Sequence, residues 1–154
     1  MNVSSIAAIH EAGHAVAAIR AGLVFDRVSA MPDEERELDG ALYWLELHDE
    51  VELAMPPELL AMVLLAGPCA EARLRQLRFD RLFAGVAAMD DRAAIASLGL
   101  SDAQFVAASR DALALVECDW AAIERVARQL ETGRALAFDE VEALVADGDA
   151  GSPR

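Results

Sequence analysis

The stretch VSSIAAIHEAGHAVAAIRA, residues 3 to 21, decides how the rest of the chain is read. Ile6, Ile9, Val16 and Ile19 recur at helical spacing and give one apolar side, so a helix is predicted over residues 3–21, with Gly22 placed to end it. His10 and His14 stand four positions apart beside that apolar side. Residues at this spacing share a helix face with Cβ atoms about 5 to 6 Å apart, so both imidazoles can reach one ion. Glu11 completes an H-E-x-x-H string, in which the carboxylate stands beside metal-bound water as a general base.

Outward from this helix the pattern changes. Leu23 to Met31 and Ala41 to Leu47 are richer in Val, Phe, Tyr, Trp and Leu, and Pro32, Asp39 and Gly40 lie between them, which predicts a long-looped hairpin in a two- or three-stranded sheet. The dense run Asp33-Glu34-Glu35-Arg36-Glu37 reads as a solvated loop tip. A second helix is expected from Pro57, with Glu58 in its first turn, to about Leu77. Its first half is apolar nearly all round and therefore buried. Gly67, Cys69 and Ala70 would let another helix approach closely, and Pro68 is expected to bend it.

Phe79 to Ala88 reads as a loop or short turn, followed by a short helix from Met89 or Asp90 to about Gly99. Ser101 with Gln104 has the form of a capping box opening a long helix, with a break near Asp119 and a stop at Thr132-Gly133. A last helix is expected over residues 138–146, closed by Gly148, with the tail disordered. These elements predict a mainly α fold with a small sheet beside the helix that carries the histidines, as a single domain over residues 1–148 and a flexible tail over 149–154.

Length and composition bound the function. A chain of 154 residues is enough for one domain that buries about 68 to 70% of its unfolded surface without disulfides. Cys69 and Cys118 make no paired framework, which suits a reducing cytoplasm, and both are expected to be buried. A formal net charge of -14, from thirteen basic and twenty-seven acidic residues, argues against nucleic acid as a partner. The N-terminal stretch is too polar for a secretory signal. The longest apolar run, Leu59 to Ala70, falls short of the roughly 20 residues that span a bilayer.

A catalytic zinc site needs three protein ligands and an open position for water, so a third donor must come from elsewhere. His48, Glu71, Asp90 and Asp91 are the candidates. His48 ends an expected strand and is set aside as a surface or half-buried residue. Glu71, on a buried helix, needs a cationic partner, either Arg73, Arg75 or a metal-ligand imidazole. Asp90 and Asp91 both sit where a helix start favours a carboxylate for structural reasons alone, and position does not separate them.

The string Ala8 to Val16 resembles the HEAGHA signature of the FtsH family of ATP-dependent zinc metalloproteases, in their peptidase domain. Val28-Ser29-Ala30-Met31-Pro32 with Gly40 to Trp44 is similar to that family's hairpin. Leu65 to Glu71 resembles its Leu-Gly-Gly-Arg-Ala-Ala-Glu helix, with Pro68 in place of the arginine. Met89 to Ala94 resembles its Asn-Asp-Leu-Glu-Arg-Ala stretch, with Met89 in place of the Asn, and Gly133 to Val141 is similar to its closing segment. The resemblance implies a Zn2+ ion held by His10, His14 and Asp90, with Asp91 as a second register, Glu11 as catalytic base and Glu71 orienting a ligand histidine.

It also implies hydrolysis of peptide bonds in unfolded or flexible polypeptides, and the sheet predicted beside the helix with the metal suggests an extended substrate added to the hairpin edge. The chain has no G-x-x-x-x-G-K-[ST] phosphate loop and no span for a membrane anchor, so it is expected not to use ATP itself. A separate ATPase or a homo-oligomer is the partner this suggests. The alternative expectation is a non-catalytic binding module that keeps the peptidase fold and acts through a partner protein. A metallohydrolase of a non-peptide amide is a third.

Overall fold

The computed structural model describes residues 3–32, 40–44 and 55–149. Outside them lie the acidic run 33–37, His48, the end of the expected second strand and the last five residues. Seven α-helices and a three-stranded sheet are found among the described residues, which makes the fold mainly helical with a small sheet.

Helix α1 (Val3–Arg20) runs almost the length expected, then turns at Gly22, whose φ of 72° is a backbone conformation that glycine adopts without a Cβ penalty. Strand β1 (Phe25–Ser29) pairs antiparallel with β2 (Ala41–Trp44), Val28 opposite Leu42 and Ser29 opposite Ala41. On its other side β1 pairs with β3 (Leu136–Ala137), giving the order β2-β1-β3. A two-residue strand has no periodicity to read, so this pairing is visible only in the fold.

Helix α2 (Pro57–Leu74) opens with proline in its first turn and continues unbroken through Pro68. Its end comes three residues early, where Gln76 takes a positive φ of 54° and the Leu77 N–H donates to the Ala72 carbonyl. The expected loop from Phe79 instead holds a five-residue helix, α3 (Phe79–Phe83), and a single 3-10 turn (Val86–Ala88). Phe79 and Phe83, four positions apart, stack with ring centroids 5.2 Å apart, and Phe83 also packs on Phe105. That contact with another helix is what the local sequence does not announce.

Helix α4 (Met89–Ser97) follows directly, and Ser101 and Gln104 form the expected capping box at the start of α5 (Asp102–Cys118). The break at Asp119 separates α5 from α6 (Trp120–Leu130). Asp119 accepts from the Arg20 guanidinium, with Nε 3.0 Å and an Nη atom 2.6 Å from its Oδ1, so the junction is tied to the end of α1. Helix α7 (Phe138–Asp149) closes the fold. The main core joins α1, α2, α5, α6, α7 and the sheet, and α1 packs chiefly against α2 and α6. Cys69 is buried, but Cys118 is exposed at the end of α5, which corrects the expectation for the second thiol; both are free.

Candidate metal centre

The crossing of α1 and α2 is built from small residues. A Cβ at Gly13 would stand 2.7 Å from the Ala66 carbonyl oxygen and 2.9 Å from the Ala70 Cβ, so only glycine allows this approach. At the next residue of each helix, a Cβ at Gly67 on α2 would collide with the ring of His14 on α1, closest to its Nε2. The backbones are thus close enough for α2 to grip both imidazoles from behind.

It does so through the ring nitrogens that face away from each other's partners. His10 Nδ1–H donates to Glu71 Oε2 at 3.0 Å, and His14 Nδ1–H donates to the Val63 carbonyl oxygen at 2.8 Å. Pro68 withholds the N–H that the Leu64 carbonyl would accept in a regular helix, and the neighbouring Val63 carbonyl takes its extra bond from outside the helix. With both Nδ1 atoms engaged, both Nε2 atoms face the same side, with the ring centroids 4.9 Å apart and the planes at 71°.

Asp91 meets them there. Its Oδ2 lies 3.0 Å from His10 Nε2 and its Oδ1 3.2 Å from His14 Nε2. One atom from each of His10, His14 and Asp91 lies within 4.8 Å of the others. Asp90, the residue implied by the family resemblance as third donor, is exposed in the first turn of α4 and takes no part. The correction of one position has a plain cause. Adjacent helical residues point about 100° apart, and Ile95, buried in the core, marks the inward face of α4; Asp91 lies one turn before it on that face. Reading α4 from Ile95 would have chosen Asp91. Arg92 fixes the helix, donating to the carbonyls of Phe83 at 2.5 Å and Gly85 at 2.8 Å.

The carboxylates around the two imidazoles favour positive charge on the rings. Burial alone would lower the pKa of His10, yet the bonds to Asp91 and Glu71 outweigh it and raise it from 6.5 to about 10. His14 is raised in the same way, against burial, chiefly by Asp91. Asp91 is held below the ordinary carboxylate range, its burial outweighed by the two imidazoles. Two imidazole nitrogens and a carboxylate that converge on one side, with each Nδ1 already held by an acceptor, form a donor set that fits a divalent ion such as zinc.

Glu11 is 7% exposed, and burial pushes its carboxyl above its ordinary 4.5, against the pull of His14 and His10. It faces the sheet: a Cβ at Gly40, just before β2, would stand 2.9 Å from Glu11 Cγ and 3.1 Å from its Oε1. Glu71, 3% exposed, carries the positive partners its burial requires, His10 on one oxygen and Arg75 Nη1 at 2.6 Å from the other. Those bonds outweigh its burial and lower its pKa. Arg73 turns away to Glu117 and the Trp120 ring. His48 lies outside the described residues. The close approach expected at Gly67 is found, against the His14 ring, while the Val63 carbonyl was missed from sequence, since a backbone acceptor has no residue-type signal.

Fold and site together define a mainly helical fold in which an H-E-x-x-H helix and a remote aspartate bring two imidazoles and a carboxylate together beside a small sheet. No protein-family model matches the chain, and no match is found among curated proteins. Among the described residues no helix is long and apolar enough to cross a membrane.

Proposed function

We propose that the chain is a zinc-dependent hydrolase of peptide bonds, in which His10, His14 and Asp91 hold the ion and Glu11 is the general base. The observation that carries this reading is the convergence of two Nε2 atoms and one carboxylate within 4.8 Å, with the buried Glu11 next to His10 on the same helix. When bound, zinc supplies a Lewis acid that polarises a carbonyl and lowers the pKa of water toward about 7.

The protein's own groups supply the rest. Glu71 and the Val63 carbonyl keep each ligand ring in the tautomer that directs Nε2 to the ion. Glu11 accepts the proton of the attacking water and returns it to the departing amine nitrogen. Its raised pKa suits both halves of that transfer, because a base poised nearer neutrality can also act as the acid. Gly40 leaves room for the carboxylate at the mouth of the sheet. Strand β2 is at an edge of the described sheet, which supports an extended polypeptide as substrate, added as a further strand.

The order of sequence blocks shared with the FtsH peptidase domain supports unfolded or flexible polypeptides as substrates and a separate ATPase or a ring of copies as the delivering partner. Two free cysteines suit a cytoplasmic setting. The test measures bound metal and casein or unfolded-peptide cleavage in the native chain and in Glu11→Gln. Metal content should persist in the variant while turnover falls by about 10²- to 10⁴-fold. Equal turnover in both removes the protease reading, and tight zinc binding with no cleavage of any peptide favours a binding module on this fold.

A further inference from the structure

The two ligand histidines are held in different ways. His14 leans on a backbone carbonyl, which is fixed by its helix and cannot be tuned by a side chain. His10 leans on Glu71, a carboxylate with freedom about its own side-chain bonds, buried to 3% exposure and 61 positions away in sequence. What holds that carboxylate is Arg75, the residue that caps the end of α2 four positions on, whose Nη1 lies 2.6 Å from Glu71 Oε1 while Glu71 Oε2 takes the His10 proton. The guanidinium side chain is 39% exposed, so its head stands at the surface while its bond reaches a group that water barely touches.

We propose that Arg75 is a positioning residue for the metal centre, setting the affinity for a divalent cation by fixing the Glu71 carboxylate that orients His10. The inference rests on the metal-site reading above and adds to it a residue outside the H-E-x-x-H string and outside direct reach of the ion. An i, i+4 ion pair on an exposed helix is ordinarily worth only about 0.3 to 0.5 kcal/mol, so as a stability device Arg75 would matter little. Here one end of the pair is buried and its other oxygen is committed to a ligand. Without Arg75, Glu71 keeps one of its two bonds and can rotate, and the His10 ring loses its fixed direction. Arginine suits the task because its planar head holds a carboxylate in one orientation, where a lysine ammonium acts as a point charge.

The experiment is zinc binding to the full chain by chelator competition, with the cobalt absorption spectrum as a second readout. Arg75→Met should weaken zinc binding by about tenfold, the lower end of what losing an outer partner of a ligand costs. It should also alter the cobalt bands, and Arg75→Lys should recover part of the loss. Arg81→Met, on the surface of α3 and without a bond to Glu71, should bind as the native chain does. The deciding variant is the pair: in a Glu71→Gln background, Arg75→Met should weaken binding little further, because its effect passes through that carboxylate. Native affinity in Arg75→Met, or a loss that adds in full to that of Glu71→Gln, overturns the proposal. A native chain that fails to bind either metal removes the metal centre itself, and this inference with it.

Discussion

The crossing of α1 with α2 and the outer helix α6 solve the same packing problem in opposite ways. On α6, Ala122, Ile123, Val126, Ala127 and Leu130 are buried while Glu124, Arg128 and Glu131 face solvent, so the helix is held by an apolar stripe. At the α1 and α2 crossing, the closest contacts run through Gly13, Ala66, Gly67 and Ala70, and two titratable side chains, His14 and Glu71, are buried there, with Glu11 buried beside them against the sheet. No buried side-chain nitrogen or oxygen among the described residues lacks a hydrogen-bond partner. The difference teaches that a helix built to hold chemistry is buried on most of its sides: residues such as Ile9, Val16, Val63 and Leu65 still bury apolar area, and close backbones with full pairing of the polar groups are added to it.

Variants that break the two regions should therefore fail differently. The largest effect is expected at the third ligand. Asp91→Asn should lower zinc affinity by more than the roughly 10- to 100-fold that loss of an outer partner costs, whereas Asp90→Asn should leave it unchanged; chelator competition on both decides the register.

Next comes the scaffold. Ile123→Ala should cost about 2 to 5 kcal/mol in denaturant unfolding through lost burial and a cavity, while the folded fraction keeps its metal affinity. Gly13→Ala should cost less, about 1 to 3 kcal/mol as an overpacked contact against the Ala66 carbonyl, and should impair metal binding out of proportion to its stability loss. The opposite ranking of metal affinity between these two variants would undo the contrast between the regions.

The most graded effect is with pH. In the metal-free chain His10 has its pKa raised from 6.5 to about 10, so the folded state binds its proton more tightly than the unfolded chain. That stabilisation is complete below about pH 6.5 and is lost as pH rises through about 10. Asp91 has the reverse sign: its contribution is present above its ordinary 3.8 and is lost as pH falls below it. Thermal melts of the metal-free chain should thus fall between pH 6.5 and 10, and zinc should stabilise increasingly over the same range, since the ligand imidazoles must give up their protons to bind it. A flat metal-free profile across that range would show that the cluster is not charged as the geometry requires.

Much of the fold was legible because its signals are local. Helical periodicity, the proline start of α2, the Ser101 and Gln104 box and the break at Asp119 all act within a turn or two of chain. The short helix α3 and the strand Leu136–Ala137 were not legible, because each exists through contacts with distant elements, Phe83 with Phe105 and β3 with β1.

By itself, the sequence determined that two imidazoles and a glutamate share one helix, since an i, i+4 spacing is geometry that no tertiary contact can undo. Only the tertiary structure decided what surrounds them. Asp91 rather than Asp90 reaches the rings across 81 positions, Glu71 across 61 and the Val63 carbonyl across 49. Those choices depend on how closely α1 and α2 cross and on which face α4 turns inward, and both are set by packing of side chains that are remote in sequence and adjacent in the core.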